Sequence, residues 1–155
     1  MTLTPERPIG HTGVMRILFV CLGNICRSPA AEGVLRQLRP DWQIESAGLG
    51  AWHVGKPPYA PMQAEAERRG YDLSGQRARQ VTPDDFDRFD QVLAMDRAVL
   101  RDLHAMPGGQ GAQLFATVCG LDIADVPDPY YTDDFAGSLQ MIEEGLRRMV
   151  ADPPH

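Results

Sequence analysis

Residues 16–40 limit the possible folds most, because they place a strand, a tight loop and a helix in direct succession. Residues 16–20 are short, apolar and rich in branched or aromatic side chains, a pattern typical of a buried strand. After the loop at residues 21–27, Ser28 and Pro29 predict an N-cap and a first helical position, and Pro40 ends the helix. This order predicts the first strand of a parallel sheet and its crossover helix.

The rest of the chain repeats the alternation. Further strands are predicted at residues 42–46, 91–95 and 114–118, and further helices at 61–69, after the cap residue Asp96, and at 133–150, with a short capped turn at 82–86. Strands that alternate with helices are joined by parallel crossovers. We therefore predict an α/β fold with a single-domain, open, mainly four-stranded parallel sheet and helices on both faces.

The length of 155 residues suits one domain with one core. We predict a loose tail over residues 1–14, which carry no periodic pattern, and a folded domain over residues 15–152. The tail lacks the basic start and apolar stretch of a secretory signal, and the longest apolar runs have the length of a core strand. The sequence thus predicts a cytoplasmic protein without membrane insertion.

Charge and cysteine usage exclude other classes. The net charge of −6 argues against nucleic acid as the main partner. Three cysteines, Cys21, Cys26 and Cys119, make an odd count and a poor disulfide framework, so reduced thiols are expected. The four histidines are scattered and none stands at ligand spacing, so no metal site is predicted.

The loop at residues 21–27 has the properties that displacement at a phosphate monoester requires. Its backbone N–H groups and the following helix N-terminus can converge on an anion, and the same field favours the reactive thiolate of Cys21. Arg27 can return over the loop and hold two phosphate oxygens with its planar fork. Gly23 and Asn24 are residue types that tolerate left-handed or strained backbone. Since ligands in open α/β sheets sit beyond the carboxyl ends of the strands, residues 120–132 after the predicted fourth strand should reach the same site.

Residues 21–29, with the sequence CLGNICRSP, resemble the signature of the low-molecular-weight protein tyrosine phosphatases. The resemblance spans about residues 15–150. Residues 46–48 with 52–55 resemble that family's segment after the second strand, and residues 128–130 resemble its general-acid loop. Two distant motifs in the expected order are more specific than either motif alone.

The resemblance implies a mechanism without metal or other cofactor. Cys21 attacks phosphorus and forms a phosphocysteine, while Arg27 binds the phosphoryl oxygens. Asp128 protonates the departing tyrosine oxygen and then, as carboxylate, activates the water that hydrolyses the intermediate. Ser28 donates a hydrogen bond to the Cys21 sulfur, and Asn24 braces the loop from behind.

The same resemblance implies a phosphotyrosine-containing protein as substrate and a monomer or weak dimer. The substrate-binding residues are expected to be Leu22, Gly23, Asn24, Ile25, Cys26, Ser28, Trp52, Tyr130 and Tyr131. The aromatic residues among them would wall a slot that favours a flat aromatic leaving group over the shorter phosphoserine. For Trp52 a core or surface role is the alternative.

Several alternatives stay open or are weak. Cys26 is either a reversible disulfide partner that protects Cys21 or a packed helix-start cysteine, while Cys119 is expected in the core. Arsenate reductases on this scaffold need further loop cysteines, which are missing between Cys26 and Cys119. Arginine phosphatases are expected to carry threonine where Ile25 stands. A catalytically dead phosphate-binding module conflicts with the three intact catalytic residues, and a nucleotide-binding P-loop would need a Gly-Lys-Ser/Thr sequence.

Overall fold

Four parallel strands form the central sheet, in the order β2-β1-β3-β4. In the computed structural model, which describes residues 14–152, they are β1 (Arg16–Cys21), β2 (Gln43–Gly48), β3 (Gln91–Ala94) and β4 (Gln113–Leu114). The helices are α1 (Arg27–Leu38), α2 (Ala60–Arg68), α3 (Asp85–Arg88), α4 (Arg97–His104), α5 (Phe115–Val118), α6 (Pro129–Thr132) and α7 (Phe135–Ala151), with a 3-10 turn at Gly109–Gly111. The predicted fold class is confirmed.

Both faces of the sheet are covered, which explains the continuous apolar run of β1. Ile17 and Phe19 point into a core shared with α1, α2 and α7, whereas Leu18 and Val20 point into a second core shared with α4. Side chains of a strand alternate between its faces, so a strand buried on both sides is apolar at every position. This burial fixes the carboxyl end of β1 in the middle of the sheet.

The predicted fourth strand is largely wrong. Only Gln113 and Leu114 pair with β3, and the next four residues form the helical turn α5. Phe115 is fully buried in this turn and packs edge-on against Phe19, with ring centroids 6.1 Å apart. Tertiary packing of Phe115 therefore outweighs the strand preference of the segment.

The helix starts differ from prediction at two places. Cys26, not Ser28, is the N-cap of α1, and the Ser28 hydroxyl instead contacts the Cys21 sulfur. The last helix begins at Phe135, because residues 129–132 form the separate turn α6 and Asp133 is left-handed, with φ of 66°. The cap Asp96 is confirmed, since its side chain accepts a hydrogen bond from the Val99 N–H.

The predicted tail, residues 1–14, lies outside the described residues except for Val14. Between residues 14 and 152, no helix combines the length and apolar character needed to cross a membrane.

Candidate active site

The first loop closes over the carboxyl end of β1. Cys21 is the last residue of β1 and is 3% exposed. Its carbonyl accepts a hydrogen bond from the Leu49 N–H, and the Leu22 carbonyl accepts one from the Gly50 N–H, both at 3.0 Å. These bonds hold the loop against the segment that follows β2, so the loop is fixed from the side as well as from its two ends.

Close packing explains the small residues in and beside the loop. Asn24 has a left-handed backbone, with φ of 58°, as predicted for that residue type. Gly23 is needed for space instead, because a Cβ there would lie 3.0 Å from the His53 ring. At Gly48, a Cβ would lie 3.0 Å from both the Gly23 backbone and the Asn24 side chain. Gly48 thus lets the loop lie directly on the end of β2.

Two donors face the Cys21 sulfur. The Asn24 N–H donates to Sγ at 3.2 Å, and the Ser28 hydroxyl lies 3.0 Å from Sγ. Both groups can donate to the sulfur when it carries negative charge.

A buried chain of hydrogen bonds orients the Ser28 hydroxyl. Both N–H groups of the Asn24 amide are used, one toward Ser28 Oγ at 2.9 Å and one toward Ser46 Oγ at 3.0 Å. The Ser46 hydroxyl donates to Glu32 at 2.6 Å, and the side-chain oxygen Oδ1 of Asn24 accepts from the backbone N–H of Arg79 at 3.0 Å. Ser28 accepts from Asn24, and its own proton has two acceptors in reach, the Cys21 sulfur at 3.0 Å and the Ala47 carbonyl at 3.4 Å, of which the sulfur is the nearer.

Glu32 ends this chain as a buried carboxyl group. Burial raises the pKa of Glu32, while the hydrogen bond from Ser46 and the charge of Arg36 oppose the rise. The Arg36 guanidinium lies 2.8 Å from the second carboxylate oxygen. Glu32 was not predicted, and its place one helical turn after Ser28 was the available signal.

Arg27 lies buried beside the loop with one edge engaged by the protein. Its Nη1 donates to Asp96 at 2.7 Å and to the Val126 carbonyl at 2.9 Å, and Nη2 lies 3.4 Å from Asp128. Within residues 14–152, the buried Nε has no hydrogen-bond partner. The edge formed by Nε and Nη2 is the one that can bind an anion in two-point fashion.

Charge around Arg27 keeps it protonated. Burial by itself lowers the pKa of Arg27, but Cys21, Asp96 and Asp128 outweigh the burial and raise it. Asp96 therefore has two tasks, capping α4 and fixing the guanidinium plane. Only the cap was predicted from the sequence, although the position of Asp96 just beyond β3, next to β1 in the sheet, pointed to the contact with Arg27.

Asp128 also lies close to Arg27, at the start of α6. It is the N-cap of α6, and its carboxylate accepts the Tyr130 N–H at 3.0 Å. The segment before it is tied to the sheet, since the Val126 N–H donates to the Met95 carbonyl at 3.0 Å. The structure thus brings Cys21, Arg27 and Asp128 to one cavity.

The cavity has a buried floor and exposed aromatic walls. Its lining residues are Cys21, Leu22, Gly23, Ile25, Cys26, Arg27, Trp52, His53, Asp128, Tyr130 and Tyr131. Trp52 is 67% exposed and Tyr131 is 75% exposed, so neither belongs to the core. Asn24 and Ser28, which were predicted to bind substrate, do not line this cavity, whereas His53, which was not predicted, forms part of its wall. An anion at the floor would therefore be reached only through an aromatic-sided slot.

The remaining cysteines differ in position. Cys26 is buried beside Cys21 in the cavity, and burial, Cys21 and Asp128 raise its pKa against the influence of Arg27. Cys119 lies in the main core, where burial raises its pKa to about 12. In the described part of the chain, no three His, Cys, Asp or Glu residues form a group that could hold a metal ion.

Comparisons with known proteins point in one direction. The family model described as low molecular weight phosphotyrosine protein phosphatase matches residues 16–152. The chain is similar to the low molecular weight protein-tyrosine-phosphatase YfkJ of Bacillus subtilis, with 41% identity, 89% of this chain and 95% of the relative covered. The crystal structure of YfkJ superposes with a TM-score of 0.85 at 39% identity and covers 92% of this chain and 96% of that chain.

Two further solved structures bear on substrate. Vibrio vulnificus Wzb in complex with benzylphosphonate has a TM-score of 0.81 at 31% identity, with 90% of this chain and 99% of that chain covered. A drosophila arginine phosphatase also has a TM-score of 0.81, at 32% identity, with 88% and 96% covered.

Proposed function

Because this chain belongs to the low molecular weight phosphotyrosine protein phosphatase family, we propose that it hydrolyses phosphotyrosine in proteins, with Cys21 as nucleophile, Arg27 as phosphate ligand and Asp128 as acid. The observation that carries this proposal is the position of Arg27. Asp96 holds its Nη1, its Nε has no partner among residues 14–152, and the Cys21 sulfur nearby has the Asn24 N–H and the Ser28 hydroxyl within hydrogen-bond distance. A thiolate and a fixed two-point anion donor at one floor match the needs of phosphoryl transfer.

In the first step the Cys21 thiolate attacks phosphorus and the bond from phosphorus to the tyrosine oxygen breaks. Arg27 and the loop N–H groups hold the charge on the three equatorial oxygens. The proton of Asp128 goes to the departing phenol oxygen, which leaves the enzyme as phosphocysteine and carboxylate. General-acid catalysis of this kind raises the reaction rate by roughly two to four orders of magnitude.

In the second step the Asp128 carboxylate takes a proton from water, whose oxygen attacks phosphorus as the sulfur–phosphorus bond breaks. The hydrogen bonds from Ser28 and from the Asn24 N–H stabilise the departing thiolate. Inorganic phosphate leaves, and the proton on Asp128 is ready for the next cycle.

The aromatic walls support tyrosine as the leaving group. The sulfur is almost fully buried, whereas Tyr130 and Tyr131 stand at the cavity mouth. A phenyl ring spans that depth and stacks on aromatic neighbours, and the shorter arm of phosphoserine does not. That the similar protein Wzb forms a complex with benzylphosphonate, an aromatic phosphonate, supports an aromatic ligand for this chain.

A panel of phosphopeptides tests the proposed function. We expect phosphotyrosine peptides to be hydrolysed at least roughly a hundredfold faster than matched phosphoserine or phosphoarginine peptides, since a site shaped for one group loses several kcal/mol with another. Ile25 lines the cavity where arginine phosphatases are expected to carry threonine, so Ile25→Thr is the control and should raise relative turnover of phosphoarginine. Faster turnover of phosphoarginine by the natural chain would overturn the assignment of the substrate.

Reversible oxidation is a second expected property. Peroxide should oxidise the Cys21 thiolate to a sulfenic acid. Attack by the Cys26 thiolate on that sulfur should then form the disulfide and displace hydroxide, which takes a proton from the solvent to become water. Because burial raises the pKa of Cys26, bridging should be slow at neutral pH and faster in alkali. We expect a dithiol to restore activity and mass spectrometry to detect the bridge. Equal recovery of a Cys26→Ser variant would rule out the protective role.

We also propose a location and partners for the protein. A cytoplasmic location keeps Cys21 reduced, and the substrate partners are phosphoproteins. A monomer or weak dimer stays a prediction, which sedimentation at several concentrations measures.

A further inference from the structure

Tyr59 connects the two sides of the cavity without lining it. It precedes α2, and its N–H donates to the Ile25 carbonyl of the first loop at 2.8 Å. Its carbonyl accepts the N–H groups of Met62 and Gln63 at 2.9 and 3.0 Å. The backbone of Tyr59 is therefore held by both the loop and α2.

The Tyr59 ring packs on the aromatic residues that follow Asp128. Its centroid lies 5.1 Å from that of Tyr130 and 5.9 Å from that of Phe135, both tilted pairs within the range of attractive ring contacts. Tyr59 is 39% exposed, so this ring contact lies at the surface and not in the main core.

Tyr130 links the Tyr59 ring to the Asp128 carboxylate. Its N–H donates to one oxygen of Asp128 at 3.0 Å, and the other oxygen faces Arg27. The chain before Asp128 is tied to β3 through Val126, whereas α6 after it has only four residues. So short a helix is not stable by itself. Arg27 holds the Val126 carbonyl and the Asp128 carboxylate, and the Ser138 hydroxyl donates to the Pro127 carbonyl at 3.3 Å, all at or before the start of α6. The ring contact with Tyr59 is the attachment that holds α6 beyond Asp128.

We propose that Tyr59 is a positioning residue that holds Asp128 at the reacting phosphate through Tyr130, an inference that rests on the proposed function. The backbone of Tyr59 binds the loop at Ile25, but its side chain does not line the cavity. Its loss should affect proton transfer to the leaving group and spare phosphate binding, because the contacts of Cys21 and Arg27 do not include it.

The test compares leaving groups in single-turnover phosphorylation of Cys21. Tyr59→Ala should slow release of tyrosine from a phosphotyrosine peptide roughly tenfold, the scale of a lost aromatic pair and a displaced catalytic group. The rate of release of a strongly acidic phenol should change by less than about threefold, because such a leaving group needs little help from an acid. Tyr59→Phe should behave as the natural chain, since the ring and the backbone make the contacts.

A double variant separates positioning from general loosening. If Tyr59 acts through Asp128, Tyr59→Ala should cause no further loss in an Asp128→Asn background. Ile123→Ala is the matched control, because Ile123 is 40% exposed, lies on the segment before Asp128 and does not line the cavity. It should leave every rate unchanged. Tyr59→Leu, which keeps apolar cover without a flat ring, should show the same pattern as alanine and serves if the alanine variant folds poorly.

Three results would overturn the role of Tyr59. The first two are an equal loss for all leaving groups and the same loss with and without Asp128. An unchanged rate in Tyr59→Ala would overturn it as well. If Asp128→Asn itself shows no dependence on the leaving group, the proposed acid fails first, so the two failures are distinguishable.

Discussion

Replacement of Cys21 by serine should abolish turnover of a phosphotyrosine peptide, with a loss on the order of 10⁶, the scale seen when a catalytic nucleophile is removed. A serine hydroxyl stays protonated at neutral pH and attacks phosphorus poorly. The Asn24 N–H and the Ser28 hydroxyl can still pair with an oxygen at this position, so the loop should keep its shape. Steady-state release of phosphate measures the effect.

Phosphate binding is the control for this variant. Arg27 keeps its bonds to Asp96 and Val126 in Cys21→Ser, and inorganic phosphate should therefore bind with an affinity within a few-fold of the natural chain. Even a tenth of the original turnover would contradict the assignment of Cys21, and loss of phosphate binding would mean that the loop had collapsed.

Asp128→Asn should slow phosphotyrosine turnover by roughly two to four orders of magnitude. The effect depends on the leaving group, because a phenol with a pKa near 10 leaves badly without a proton. For an aryl phosphate with a strongly acidic phenol, the loss in the first step should be distinctly smaller. Asp128 is also the base of the second step, so pre-steady-state release of phenol is the measurement that isolates its role as acid.

Asp125→Asn is the matched control for Asp128. Asp125 lies three positions earlier and accepts hydrogen bonds from the N–H and guanidinium of Arg97, which lower its pKa and keep it ionised. An ionised carboxylate donates no proton, so the rate of the first step should change little. If all leaving groups lose equally in Asp128→Asn, Asp128 is not the acid, and Asp133 is then the next candidate on this segment.

The sequence predicts the strand, loop and helix around Cys21 because those signals are local. The apolar run of β1 and the proline after the loop act within a few residues of the structure they determine. The predicted fourth strand failed for the opposite reason. Its apolar residues suit a strand or a buried helical turn equally, and contact of Phe115 with Phe19, far away in the chain, decides between them.

The same distinction holds at the site. Cys21, Arg27 and Asp128 could be named from two motifs, whereas their supporting residues could not. Asp96 is 69 positions from Arg27, and Ser46 is 22 positions from Asn24. Side chains that meet across crossovers leave no spacing pattern. The spacing of Glu32 from Ser28 was a signal within one helix, but the link through Ser46 and Asn24 and the ring contact of Tyr59 are defined only in the folded structure.

Rapid-quench analysis of the natural chain with a phosphotyrosine peptide labelled on phosphorus tests the central claim most directly. The expected result is a burst of free tyrosine peptide together with a matching amount of label on the proteolytic fragment that contains Cys21, both absent in Cys21→Ser. Label on any other residue, or a burst without label on the protein, would contradict hydrolysis through a phosphocysteine at Cys21.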